Sequence, residues 1–125
     1  MQRKVVKTDS APKPAGPYSQ AIVADNFVFV SGQVGVDPRT NSPVEGIAAQ
    51  TRQALENLRS ILEEAGSSLE RIVRVGVFLR DINQFSEMNQ VYSSFFSNAP
   101  PARTTVQAAL PGSFLIEIDA VALKD

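Results

Sequence analysis

The sequence predicts an α+β domain in the order ββαβαββ, with a mixed sheet that carries both helices on one face. Three observations predict it. Two β-prone runs, Ala21–Ala24 and Phe27–Val30, are separated only by Asp25-Asn26. Two segments repeat apolar residues at helical spacing, one before Gly66 and one after Asn83. Between them runs Ile72–Leu79, apolar except at Arg74 and Gly76.

The elements follow in chain order. Pro12, Pro14, Gly16 and Pro17 make a stiff, non-helical entry. The runs flanking Asp25-Asn26 read as a hairpin, because both turn residues tolerate positive φ. Ser31-Gly32-Gln33 ends its second strand, and the turn formers of Asp37–Pro43 predict a loop. Ile47, Thr51, Ala54, Leu55, Leu58, Ile61 and Leu62 share one helical face. Their spacing predicts a helix over about 44–65 that stops at Gly66. Ile72–Leu79 reads as a central strand buried on both faces. Asn83 is a candidate cap for a second helix bearing Phe85, Met88, Tyr92, Phe95 and Phe96, which Pro100-Pro101 ends. Strands over Arg103–Ala108 and Phe114–Leu123 complete the order, joined through a turn at Leu110-Pro111-Gly112.

With 125 residues the chain is expected to form one domain over 1–125. Two helices cover only one sheet face. The apolar residues left on the other face predict a homo-oligomer, although strand parity leaves open which face of Ile72–Leu79 is involved. The N-terminal ten residues lack an apolar core of the signal-peptide kind, and no run approaches the ~20 residues of a membrane span. The expectation is a cytoplasmic protein without a membrane partner.

Composition removes much chemistry. Cys is absent, and with it disulfides and a thiol nucleophile. His is absent, which removes the usual zinc sites and the commonest general base. No metal site is expected. A balance of 12 basic against 13 acidic residues, net charge −1, argues against a chain that grips a phosphate backbone.

The remaining candidates are few. Arg103 follows a diproline break at the start of a strand, where a guanidinium can grip a carboxylate through two parallel hydrogen bonds. A surface arginine paired with a nearby acid is the plainer use. Glu117 and Asp119 share a face of the last strand with Leu115 and Val121. A carboxylate among such neighbours has a raised pKa and can exchange protons with water. A solvated face is the alternative. Tyr18 on its rigid turn is either a site wall or a core aromatic. Ser31 and Gly32 border a buried strand, where Gly32 either lets an anion approach its N–H or makes a tight bend. Asn89, a helical turn from Phe85, is either half-buried and hydrogen-bonded or part of a polar surface.

Several strings occur together and in order: Gly16-Pro17-Tyr18-Ser19-Gln20-Ala21, Val30-Ser31-Gly32-Gln33, Ala54-Leu55-Glu56-Asn57-Leu58, Val77-Phe78-Leu79-Arg80-Asp81, Asn89-Gln90-Val91-Tyr92, Pro101-Ala102-Arg103 and Ile116-Glu117-Ile118. In this combination, from about Ser10 to Leu123, the chain closely resembles the RidA family of reactive-intermediate imine deaminases. The resemblance implies a chorismate-mutase-like fold and a homotrimer whose three sheets close into a barrel-like core, with clefts between subunits. It implies hydrolysis of short imines and enamines, such as 2-aminoacrylate and 2-iminobutanoate, to 2-oxo acids and ammonia without a cofactor. Carried over by position, Arg103 matches the arginine that clamps the substrate carboxylate. Glu117 matches the acid that positions or activates water. Tyr18 matches a phenol closing the site, Ser31 and Gly32 the strand end bordering it, and Asn89 a polar residue near the cleft. Thr105 departs from a cysteine found in several bacterial members, and Asp119 from a more usual glutamate. Two other functions fit the same residues: an RNA-directed translation inhibitor or endoribonuclease, and a non-catalytic trimer binding small carboxylates or acting as a chaperone. The first needs a basic surface, and the second does not need Glu117.

Overall fold

The computed structural model describes residues 2–125; Met1, the first residue of the polar N-terminal stretch, lies outside them. Its strands are β1 (Arg3–Val6), β2 (Ala21–Ala24), β3 (Phe27–Val34), β4 (Val36–Asp37), β5 (Ser42–Pro43), β6 (Ile72–Leu79), β7 (Ala102–Gln107) and β8 (Ile116–Leu123). The helices are α1 (Ile47–Glu64) and α2 (Phe85–Phe95). Six strands form one sheet in the order β1-β2-β3-β8-β6-β7, antiparallel except for the β6–β7 pair. The parallel pair follows from its connection. Helix α2 lies between β6 and β7 in the chain, and such a crossover returns the second strand in the direction of the first.

The β2–β3 hairpin forms across Asp25-Asn26, with Asp25 at φ 56°. Gly66 ends α1 at φ 82°, and the Ser67 N–H donates back to the Leu62 carbonyl at 2.8 Å. Val28, Val75, Val77, Leu79, Ile116 and Ile118 point at the helices and pack on Leu55, Leu58, Ile61, Leu62 and Met88. The predicted α+β architecture, with both helices on one side of a mixed sheet, is therefore the observed one.

Four expectations are corrected. Strand β6 is not buried on both faces along its length: away from the helices Gly76 is buried, but Phe78 is half-buried and Arg74 exposed. Its pairing with β8 shifts register between Ile72 and Arg74. This bulge sets Ile72 on the helix side with Val75 and leaves Val73 exposed, so simple alternation misassigns the first residues. Asn83 does not cap α2. It lies in a short 3₁₀ turn, Ile82–Gln84, where the Asp81 side chain accepts its N–H at 2.9 Å. The 37–43 loop contains the two-residue hairpin β4–β5, turning through Asn41 at φ 59°. The polar N-terminal stretch contributes edge strand β1.

Asn57 anchors the end of β3 to α1. Its buried amide donates to the carbonyls of Val34 and Val36 at 3.1 and 2.9 Å, while its oxygen accepts from Gln53. The close approach requires Gly35, since a Cβ there would lie 2.6 Å from the Gln50 Cα. Gly35→Ala is expected to destabilise the protein by about 1–3 kcal/mol, the usual cost of overpacking against backbone. Urea unfolding measures it, and an unchanged free energy would show that α1 moves aside freely.

The sheet face away from the helices carries Val5, Phe27, Phe29, Phe78, Val106 and Val121, with Phe29 46% exposed. No element of the described residues covers it.

Candidate active site

Two groups of candidate residues form on opposite sides of the sheet. The first lies at the β3–β8 seam. The pairing of these strands shifts between Val30 and Gln33, so Ser31-Gly32 is a bulge rather than a strand end. The bulge opens a cleft of about 680 Å³ lined by Pro12, Tyr18, Ser31, Gly32, Phe114 and Glu117, among others. Ser31 fixes the segment above it: its hydroxyl donates to the Ser19 carbonyl at 2.6 Å, and its N–H donates to the Gln20 carbonyl at 2.9 Å. Tyr18 is half exposed and stands as a wall, its phenol oxygen accepting the Ala15 N–H at 3.1 Å.

Glu117 points into this cleft because Ile116 and Ile118 on either side are buried among the helices. Its carboxylate folds over Gly32, where a Cβ would lie 2.7 Å from the Glu117 Cδ. The glycine thus makes room for a carboxylate of the same chain. Burial raises the pKa of Glu117 above the ordinary carboxylate value, and the charge of Asp119 raises it further. Asp119 sits two residues on and accepts the Gly76 N–H at 3.0 Å.

The second group lies on the helix side. Arg103 pairs in register with Val75, which is fully buried, so its side chain leaves the sheet toward α2. The guanidinium carbon stands 4.7 Å from the Tyr92 ring centre and 5.5 Å from that of Phe85. The cation lies over both aromatic faces, within cation–π range. Among the described residues the ion pairs join Arg39 to Asp37, Arg59 to Glu56 and Arg71 to Asp125, so Arg103 is in none of them. Thr105 shares the strand face of Arg103, and Asn89 lies between Phe85 and Tyr92 on α2. Thr105 Oγ1 and Asn89 Oδ1 are buried without a hydrogen-bond partner, and the buried Tyr92 hydroxyl has none but the neighbouring Arg103 to turn to. Burial raises the pKa of Tyr92, against the opposing charge of Arg103.

Tyr18, Ser31, Gly32 and Glu117 are therefore brought together, and Arg103, Thr105 and Asn89 are brought together, but the two sets do not meet within one chain. Sequence reasoning missed Gln20, whose buried amide donates to the carbonyls of Thr8 and Pro12 and accepts the Thr8 N–H. It also missed Phe114 as a cleft residue. Neither belongs to a periodic pattern, and only the motif containing Gln20 pointed to it.

An α+β sheet with a bulged, carboxylate-bearing cleft on one face and an arginine set between aromatics on the other defines the class to which known proteins can be compared. A family model described as Endoribonuclease L-PSP matches residues 8–124. The chain is 50% identical to a RutC family protein of Pyrococcus abyssi over 127 residues, covering 100% of both. It is 43% identical to the 2-iminobutanoate/2-iminopropanoate deaminase of Homo sapiens over 124 residues, covering 98% of this chain and 90% of that one. The crystal structure of E. coli TdcF with bound serine superposes with a TM-score of 0.93 at 37% identity, covering 98% of this chain and 99% of that chain. This chain belongs to the Endoribonuclease L-PSP family, the RutC and RidA proteins that its motifs resemble, and has their chorismate-mutase-like fold. Among the described residues no helix is long and apolar enough to cross a membrane.

Proposed function

We propose that this protein hydrolyses short 2-imino acids and their enamine tautomers to 2-oxo acids and ammonia, in clefts shared between copies of a homotrimer. One observation carries the reading: the carboxylate group and the arginine group face opposite sides of one sheet, so a site using both needs two chains. The exposed aromatic face supports the same assembly, since burying Phe27 and Phe29 against other copies removes apolar surface from water. The human relative's name supports the reaction.

The chemistry follows from charge. Arg103 of one copy holds the substrate carboxylate through its guanidinium N–H groups. Glu117 of the neighbouring copy, as carboxylate, accepts a proton from water as the oxygen adds to the imine carbon. It then returns that proton to nitrogen; as the C–N bond breaks, the same carboxylate takes the proton of the new hydroxyl group and passes it to the departing nitrogen, so that ammonia leaves and the 2-oxo acid remains. Tyr18 closes the cleft, with Ser31 and Gly32 forming its floor, while Asn89 and Thr105 flank the arginine. Each step uses these side chains and water alone, so no metal or cofactor is required. The role of the protein is to orient two reactants whose reaction is already downhill.

Two inactive variants test the shared cleft. Arg103→Ala and Glu117→Gln, refolded together in equal amounts, are expected to regain about a quarter of wild-type activity, because random mixing in a closed ring pairs the two intact halves at that fraction of interfaces. The assay is ammonia release from an imine generated by a threonine dehydratase, with chelator present. Mixed assemblies as inert as their parents would overturn the shared site. RNA cleavage by wild type that disappears with rising salt would instead support an endoribonuclease.

A further inference from the structure

We propose that Arg80 is a positioning residue for the cleft: its guanidinium holds the 110–114 loop on the end of β6 and so sets the wall formed by Pro111 and Phe114. The proposal rests on the functional reading above, because it assigns that wall to the substrate.

Arg80 directly follows Leu79, the last residue of β6. Its Nε donates to the Phe114 carbonyl at 2.7 Å, and its Nη2 faces the carbonyls of Leu110, Gly112 and Pro111 at 2.7, 2.8 and 3.3 Å. Its backbone N–H donates to the Leu115 carbonyl at 3.0 Å. Gln50 on α1 holds the far end, its side-chain oxygen accepting the Leu115 N–H at 2.9 Å. Residues 108–115 have no helix or strand hydrogen bonding of their own. Beyond the backbone bonds at its ends and the single turn bond from the Phe114 N–H to the Pro111 carbonyl at 3.3 Å, these side chains hold the loop.

A solvent-facing arginine would sit beside an acid. Arg80 is in none of the ion pairs of the described residues, and the neighbouring Asp81 carboxylate instead accepts the Asn83 N–H. The guanidinium spends its donors on main-chain carbonyls, which its fixed fork can span and a lysine ammonium cannot. Pro111 and Phe114 line the same cleft as Glu117. Glu117 itself is held by strand pairing to Val34 and Phe78 on both sides. Losing Arg80 thus loosens the wall and leaves the carboxylate in place. The consequence is weaker binding at little cost to the chemical step.

The experiment combines saturation kinetics on one imino acid with amide hydrogen exchange of residues 110–115. Arg80→Ala is expected to raise KM about tenfold, the loss of a charge-assisted hydrogen bond, with kcat within about threefold. Arg80→Lys should lie between, and exchange of the loop should speed up in both. Phe114→Ala alone should raise KM, and adding it to Arg80→Ala should give less than the product of the two effects, since both act through one wall. An unchanged KM in folded Arg80→Ala would overturn the proposal; if that variant does not fold, an unchanged KM in Arg80→Lys decides the same way. Unchanged loop exchange would also overturn it. A wild type inert toward imines but with a loop that loosens in Arg80→Ala would sink the substrate assignment and leave the loop anchor standing.

Discussion

Arg103→Lys is expected to lower kcat/KM by about 10- to 150-fold, the effect of losing one charge-assisted hydrogen bond, and Arg103→Ala by more. The reason lies in how the cation is held. The guanidinium carbon stands over the rings of Tyr92 and Phe85, 4.7 and 5.5 Å from their centres. Arg103 is in none of the ion pairs of the described residues, and a guanidinium can meet a carboxylate through two parallel bonds. Lysine keeps the charge and loses both the flat face that stacks and the fork that pairs. If Arg103 supplied only positive potential, lysine would serve nearly as well. Saturation kinetics with light scattering on each variant separates loss of function from loss of assembly. A lysine variant with near-wild-type kcat/KM would show the bidentate clamp to be wrong even within the same family.

What the sequence disclosed, and what it hid, has a common physical cause. Strand β6 was legible to the residue, because Ile72–Leu79 is too short for a typical helix and rich in β-branched residues. Helix α1 was legible from its stripe and from Gly66, although it starts at Ile47 rather than near Val44. The facing of β6 was not, because the bulge at Val73–Arg74 breaks the two-residue period on which facing arguments depend. The hairpin β4–β5 has only two residues in each strand, too short to carry a pattern. Edge strand β1 is exposed along Arg3, Lys4 and Val5, so its composition is that of a tail. In the candidate site, Glu117 was legible because alternation alone turns it away from Ile116 and Ile118. That Arg103 and Glu117 face opposite ways was not legible, since it depends on strand order and on the register of β7 against β6. Arg80 and Gln20 were hidden for another reason. Each works through bonds to distant main-chain carbonyls, and a carbonyl leaves no mark on the sequence.

Glu117→Gln is expected to cut imine hydrolysis by about 100-fold or more, the usual contribution of a positioned general base, while fold and assembly survive. Glutamine has nearly the same shape, so it fits over Gly32 as the carboxylate does. It cannot take a proton from water. The pH dependence supplies a second reading of the same residue. Burial, and then the charge of Asp119, raise the Glu117 pKa above the ordinary carboxylate value. The base is the ionised form, present above that pKa and lost as pH falls through it. The wild-type rate should therefore fall on acidification at a pH higher than an ordinary glutamate would give, and this acidic limb should vanish in Glu117→Gln. Stability runs with the opposite sign. A folded-state pKa raised above the unfolded one favours the protonated form, so its stabilising contribution is present below the unfolded pKa and lost as pH rises through the folded one. The acidic fall in rate is thus not explained by unfolding through Glu117. Rate profiles of both proteins, each checked by circular dichroism across the range, make the comparison. If the glutamine variant keeps the wild-type rate and the wild-type acidic limb, Glu117 has no part in the proton transfer, and another group activates the water.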